Sequence, residues 1–366
     1  MKSDGARTIC QGRLSMQTKH AKNQKINAFL IGTGGQGARR GYSIKLSNGW
    51  NLAGVYDTDS NRARSMAKKW KCKSYSEVLS GIRDKDIDMV VIATPPSYHD
   101  ELIEMAIDAG KHVLCEKPLT INNESAQKLA EKAEAKGVIL ATGFNHRFYK
   151  PVLDAVELIK NQAFGELIQI NGRIGQKPDE KDLNGWLGNN RISGGGVLTD
   201  NGSHLIDLIQ LFIGQVNQPQ DVQMKWDKTR SYIEILASAN LTGSNGCKAF
   251  MECSWMDSDE PYLAMELVCD RGRIRISAFP WRLEIVPTDG QRTVRNYLIE
   301  RILMKLYGFK SPGLEPSLMR EMESIRERIF GDEIKLNNVN FATGFDGANV
   351  SKTISSILNA SIGMKR

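Results

Sequence analysis

Three residues carry side chains that could move a proton or hold a developing charge. Lys117 ends the run HVLCEKPLT (112–120), where Val113, Leu114 and Cys115 read as a buried strand leading straight into Glu116-Lys117-Pro118. A residue before proline is driven toward extended backbone, so Lys117 cannot begin a helix and the strand end aims its cation. Ligands of open α/β sheets bind at such strand ends, although an ordinary surface turn would also accept this tripeptide. Asp200 and His204 stand in SGGGVLTDNGSHLIDLI (193–209), and Asp207 completes an i, i+4, i+7 series. On a helix these three share one face. A carboxylate beside an imidazole holds its tautomer and raises its basicity, the setting of a general acid/base. The same spacing also fits a helix-capping aspartate and a structural histidine.

A second cluster reads as a phosphate cradle. The run IGTGGQG (31–37) contains Gly32-x-Gly34-x-x-Gly37 between a strand and a helix. Gly32 allows the tight turn, Gly34 lets the backbone approach a pyrophosphate, and Gly37 lets helix and strand pack closely. The helix start then offers free N–H groups to phosphate. Asp57 ends the next strand, 20 residues after Gly37. Its carboxylate would accept from adenosine ribose hydroxyls and repel a 2′-phosphate, which favours NAD over NADP. Arg62 and Arg64 follow at some distance.

The elements that must position these residues alternate in the first third. Strand-like runs at 26–32, 51–57, 87–94, 112–118 and 138–144 enclose helical patterns at 100–110 and 123–137, each stopped by a glycine. That alternation predicts a parallel, doubly wound sheet. After about residue 147 the pattern changes. Runs at 165–175, 231–242, 246–256, 262–277 and 282–287 follow one another without helices, which predicts a large, mainly antiparallel sheet. A strong helix at 202–214 precedes most of them. Residues 297–307 place Leu298, Ile299, Ile302, Leu303 and Leu306 on one helical face, expected to pack on the sheet or on a partner subunit. Residues 308–338 look irregular apart from a charged helical piece near 317–330, and 346–362 reads as a closing helix.

Bulk properties narrow the classes. The chain has 366 residues, enough for two domains, with 41% hydrophobic and 25% charged residues. No apolar run is long enough to span a bilayer. The formal charge is +7, but Lys2, Arg7, Arg13, Lys19, Lys22 and Lys25 face only Asp4 in residues 1–25. The basic character is therefore a property of a disordered tail and does not point to a nucleic-acid groove. That tail lacks the hydrophobic core of a secretory signal. The six cysteines form no C-x-x-C pair and histidine is sparse near them, so they read as reduced cytoplasmic thiols rather than metal ligands.

Taken together, GTGGQG, TPPSYH (94–99), AGKHVLCEKPLT (109–120), NHRF (145–148) and GGGVLTDNGSHLID (194–207) resemble the glucose–fructose oxidoreductase / inositol dehydrogenase / rhizopine-catabolism (Gfo/Idh/MocA) oxidoreductases, in the order and spacing of that family. The resemblance runs from about residue 26 to 275 and returns in the final helix. It implies a tail (1–25), an NAD-binding Rossmann domain (26–146), an α+β domain for substrate and oligomerisation (147–340) and a closing helix (341–366). It further implies that Lys117 hydrogen-bonds the reacting oxygen, that His204 is the general acid/base, and that Asp200 orients His204 or binds a substrate hydroxyl. Hydride would pass between the substrate carbon and the nicotinamide. The cofactor would be held by Gly32, Thr33, Gly34, Gly35, Gln36, Gly37 and Asp57. Thr94, Pro95, Pro96 and His99 would line its middle, with Glu116, Lys117 and Asn145 near the nicotinamide. A cis Lys117–Pro118 bond is expected.

Arg147, Arg173 and Trp186 are the expected sugar contacts, since arginine suits a carboxylate or phosphate and tryptophan suits a sugar face. The resemblance implies a cytoplasmic NAD-dependent dehydrogenase of a sugar, cyclitol or related polyol, assembled as a homodimer or homotetramer through its second sheet. Neither a nucleic acid, a membrane nor a metal is expected to take part. Similar proteins include redox-neutral enzymes that retain NAD and cleave glycosidic bonds, and dinucleotide-sensing regulators. The presence of Lys117, Asp200 and His204 together favours a catalyst.

Overall fold

The apolar runs of the first third become strands β1 (Ile26–Ile31), β2 (Trp50–Tyr56), β3 (Lys73–Ser74), β4 (Met89–Ile92), β5 (His112–Glu116) and β6 (Leu140–Gly143). They pair in parallel in the order 3-2-1-4-5-6. β4 has no exposed residue, as expected for a strand covered on both faces. Helices α1 (Gly35–Leu46), α2 (Ser60–Trp70), α3 (Val78–Ile82), α4 (His99–Asp108) and α5 (Asn123–Ala135) connect them. Asp59 caps α2 and Asn122 caps α5, each accepting from two backbone N–H groups. The strand order reverses at β1, between β2 and β4, so the loops after β1 and β4 open into one crevice. This is a computed structural model and it describes residues 25–230, 233–256, 262–279, 281–306, 315–331 and 340–363. The basic tail falls outside those residues except for Lys25.

The second sheet has eight strands. After α6 (Lys150–Lys160) come β7 (Leu167–Gly175), α7 (Ser203–Ile213), β8 (Gln220–Asp227), β9 (Ile233–Thr242), β10 (Lys248–Ser254), β11 (Leu263–Cys269), β12 (Gly272–Ala278), β13 (Arg282–Pro287) and β14 (Thr293–Asn296). Their order is 14-13-12-11-7-10-9-8, antiparallel throughout except for the parallel pair β7 and β10. Alternation sends Ile170 and Ile174, and Ala249, Met251 and Cys253, into the core. The alternating apolar set in β10 is therefore core packing. α7 lies over this face with Leu205, Ile206, Leu208 and Ile209 fully buried. Gly172 lets it approach closely, because a Cβ there would stand 2.7 Å from Leu205 Cδ1.

The chain then returns to the first sheet. Beyond α8 (Leu298–Leu306) and α9 (Pro316–Ile329), the short strand β15 (Ala342–Thr343) pairs antiparallel with β6, and α10 (Gly344–Gly363) packs on α5 and α7. α8 does not meet the sheet, the first of its two expected partners. Leu298, Ile299 and Ile302 point outward, while Glu300 is buried in an ion pair with Arg320. Its apolar face does not pack on the sheet; Leu306 lies outside the residues whose side chains are described.

Two arginines expected at the substrate serve elsewhere. Arg147 is buried and grips Asp207 of α7 with Nε at 2.9 Å and Nη2 at 2.6 Å, and Asp346 of α10 lies 3.4 Å away. Arg173 points from the opposite, open face of the second sheet, where Nε pairs with Glu252 at 3.1 Å. Sequence periodicity assigns neither guanidinium to a side of its element, and the partners are 60 and 79 residues away in the chain. Replacing Arg147 by Ala leaves Asp207, whose pKa burial already pushes up to about 6, without its cation in the core, and should cost about 3–5 kcal/mol in urea unfolding. Arg173→Ala should stay within about 0.5 kcal/mol of the parent, because its ion pair is exposed.

Candidate active site

The glycine run behaves as a cradle. Gly32 has φ +89°, and a Cβ there would lie 2.5 Å from the Ala93 carbonyl at the end of β4. A Cβ on Gly37 would lie 2.0 Å from the Gly32 carbonyl. These two glycines are closed by protein. Gly34 is different, since the only neighbour within 4 Å of its Cβ position is the tip of the Arg62 side chain, and around Gly35 there is none. The space is open where a pyrophosphate would run past the start of α1. Asp57 Oδ2 accepts from Thr33 N at 2.7 Å and Thr33 Oγ1 at 2.8 Å, which fixes the carboxylate against the cradle. Arg62 Nε stands 3.8 Å from Asp57 Oδ1. Thr94 Oγ1 is buried at the end of β4 without a partner. An open glycine turn, a fixed carboxylate and an orphan hydroxyl in one crevice fit a dinucleotide.

Beside the crevice, β5 ends at Glu116 and the Lys117–Pro118 bond is cis, as expected. His99 does not line the crevice. It is fully buried, with Nδ1 2.9 Å from the Pro118 carbonyl and Nε2 2.9 Å from the Thr94 carbonyl, and so staples together the two loops that follow β4 and β5. Pro95 and Pro96 start the short turn between them. Glu116, expected near the nicotinamide, is engaged by the protein itself. Its Oε1 accepts from Arg40 Nε at 2.5 Å and from Gln36 Nε2 at 2.9 Å. Burial opposes the charge of this carboxylate, but Arg40 outweighs it and keeps the group below its ordinary range. Arg40 Nη1 also binds Glu321 of α9, whose pKa burial pushes up to about 7 against the pull of Arg40. Asn145 Nδ2 donates to Glu315 Oε1 and Ser317 Oγ, both at 2.8 Å, so α9 also fastens this residue.

Asp200 and His204 arrive from the second domain. A π-helical turn, Leu198–Gly202, leads into α7 and carries Asp200. Such turns are rare and cluster at functional sites. Here a buried carboxylate imposes the geometry: Glu234 Oε1 accepts from Gly196 N at 2.7 Å and Leu198 N at 3.2 Å, and its own carbonyl accepts from Val197 N at 2.8 Å. Asn201 Oδ1 accepts from Trp255 Nε1 at 2.8 Å, while Asn201 Nδ2 donates to the Tyr262 hydroxyl at 3.0 Å. Asp200 meets Lys117 across the domain boundary, with Nζ 2.5 Å from Oδ1 and 3.2 Å from the Asp200 carbonyl. Their side chains retain 18% and 28% exposure, so the pair is reachable. His204 lies one turn further on, buried, with its ring stacked on that of His146. Burial first, then His146 and Lys117, hold its pKa well below the ordinary histidine value.

The structure thus brings together Lys117, Asp200 and His204, and the crevice formed by Gly32–Gly37, Asp57 and Thr94. Trp186 stands in a short turn with 48% exposure. Sequence reading missed Arg40, His146, Glu234, Glu315 and Glu321. Only His146 lay in a run that had been singled out, NHRF; nothing in spacing marks the others.

Comparisons with known proteins agree with this architecture. Residues 26–144 match the oxidoreductase family model with an NAD-binding Rossmann fold, and residues 152–275 match its GFO/IDH/MocA C-terminal domain. An uncharacterised oxidoreductase of Schizosaccharomyces pombe is 34% identical over 186 residues, covering 48% of each chain. Levoglucosan dehydrogenase of Pseudarthrobacter phenanthrenivorans is 32% identical over 214 residues, 56% of this chain and 55% of that one. The chain thus spans about half the length of the curated relatives it matches. A solved levoglucosan dehydrogenase, in complex with NADH and levoglucosan, superposes with a TM-score of 0.79 at 21% identity, over 93% of this chain and 98% of that one, which shows a shared fold.

The open space at Gly34 can be tested. Gly34→Ala adds a methyl that meets no protein backbone and needs no unusual φ, −67° being ordinary. The thermal midpoint without ligand should move by no more than about 2 °C. NAD affinity by calorimetry should fall about tenfold or more, as expected where a backbone must approach phosphate.

Proposed function

The chain belongs to the Gfo/Idh/MocA oxidoreductase family, and on that premise we propose that it is a cytoplasmic NAD-dependent dehydrogenase of a hydroxyl carbon in a sugar, cyclitol or related polyol. The observation that carries this reading is the meeting of Lys117 and Asp200, 2.5 Å apart, with the buried His204 one helical turn further along the chain. Bound NAD supplies the hydride acceptor. Lys117 has three N–H donors. Two are directed at Asp200, and the third is available to the substrate oxygen. Its cation stabilises the negative charge that develops there as the hydroxyl proton leaves.

His204 is the proton acceptor. Neutral imidazole is the form a base requires, and burial favours it. Asp200 holds the lysine in place and keeps an exposed carboxylate oxygen for a second hydroxyl of the substrate. Gly32, Thr33, Gly34, Gly35, Gln36, Gly37, Asp57 and Thr94 would hold the dinucleotide. A second copy of the chain is placed on the open face of the β7–β14 sheet, where Phe250 is exposed among paired charges. A dimer or tetramer mass by light scattering checks it.

A panel of levoglucosan, other sugars, uronates, cyclitols and amino sugars should yield NADH from NAD with one class. Sugar release without net NADH would replace this reading with a redox-neutral one. Lys117→Ala should lower turnover about 100-fold or more, with NAD affinity within about threefold because the cradle is untouched. The depressed pKa of His204 has a defined sign. The imidazole stays unprotonated to lower pH, so the acid limb of kcat/KM for oxidation should fall below about 6.5, the ordinary histidine value.

A further inference from the structure

Two carboxylates stand close enough in sequence to orient His204, and both are engaged elsewhere. Asp200 binds Lys117, and Asp207 is gripped by Arg147. The Nδ1 of His204 is buried and has no hydrogen-bond partner among the described residues. The usual device that fixes a catalytic imidazole, a carboxylate or carbonyl on the second ring nitrogen, is therefore missing. A different contact is present. The His146 ring lies 3.7 Å from the His204 ring at an interplanar angle of 15°. Tyr149 stacks on His146 as well, at 4.5 Å and 25°, so the His146 ring is clamped between the two. Phe144 meets His204 edge-on at 5.7 Å, and Tyr262 meets His146 edge-on at the same distance.

We propose that His146 is a positioning residue for the acid–base histidine, its clamped ring setting the plane of the His204 imidazole and sealing it from water. Electrostatics accord with the geometry. The charged and titratable groups around the pair are Lys117 from the end of β5, Arg40 from α1, Tyr149, Tyr262, and Asp200 and Asp207 from the segment of His204 itself. Burial first, and then the Lys117 cation, disfavour a positive charge on either ring. Two imidazoles at 3.7 Å cannot both be protonated without strong repulsion, so the pair holds one proton at most. This inference rests on the assignment of His204 as the acid–base group.

The test needs no substrate at its first stage. The chain has five histidines, so 15N-histidine spectra are tractable, and His204→Asn identifies the His204 signal. In the parent protein that signal should be displaced by the stacked ring and should not titrate between about pH 5.5 and 8. In His146→Ala the displacement should vanish and the pKa of the His204 ring should rise toward its ordinary value. His146→Phe, which keeps a ring face, should behave as the parent. His146→Gln, polar but without a ring, reads like the alanine change should that chain fail to fold. With whichever polyol of the panel yields NADH, His146→Ala should lower kcat about 10- to 100-fold and raise the acid limb, while His146→Phe stays within about threefold and NAD affinity is unchanged in both. An unchanged His204 signal in His146→Ala, or a phenylalanine variant as disrupted as the alanine one, overturns the proposal. If no polyol yields NADH, the functional reading fails while the spectra still decide the role of His146.

Discussion

A fully buried guanidinium holds this molecule's working parts in register. Arg40 sits on the helix that begins at the phosphate cradle, and no water reaches it. A charge in that position must be neutralised where it stands, because solvation is lost and no proton can leave an arginine. Its partners come from the strand end that presents Lys117 and from α9, 281 residues further along the chain. One cation thereby ties the helix after the glycine run, the strand that leads to Lys117 and the returning C-terminal segment to a common point. It also faces two carboxylates with a single charge, which accounts for Glu116 keeping its charge while Glu321 is pushed toward neutrality.

The site is completed by a connection between domains. Lys117 belongs to the first sheet and Asp200 to the helix covering the second, and their ion pair closes the gap. The π-helical turn that carries Asp200 is held from beneath by Glu234, a carboxylate buried in a strand with its acceptors directed at backbone N–H groups. The triple glycine makes that approach possible. A Cβ on Gly196 would lie 2.0 Å from the Glu234 carbonyl. These glycines thus serve a close contact with the protein's own sheet.

What was legible in the sequence was local. The glycine run, Asp57, the strand ending at Lys117 and the spacing of Asp200 to His204 depend on neighbours a few residues apart. The turn, the helix start and the strand end follow from such short-range rules. The two sheets were legible for the same reason, through alternation against helical periodicity. Which carboxylate meets which cation was not. Asp207 was expected beside His204 and instead binds Arg147. His99 was expected at the cofactor and instead bridges two carbonyls. Arg173 was expected at the substrate and faces the other side of its strand, because a period of two does not say which face is inward until the partner strands are known. The outward apolar face of α8 was hidden likewise: the buried ion pair of Glu300 with Arg320 turns that helix over.

The return of β15 and α10 to the first sheet has a consequence for the order in which the protein can be made. A chain leaving the ribosome completes β1 to β6 within its first 143 residues, yet the edge of β6 and the outer side of α5 are covered only by residues 342–363. Translation at roughly 5–20 residues per second leaves that edge and its apolar flank bare for about ten seconds or more. During that interval the nascent first domain presents an unpaired strand, the kind of surface that recruits other chains. Synthesis of this chain therefore has a vulnerable period set by topology alone, which lasts until α10 is made.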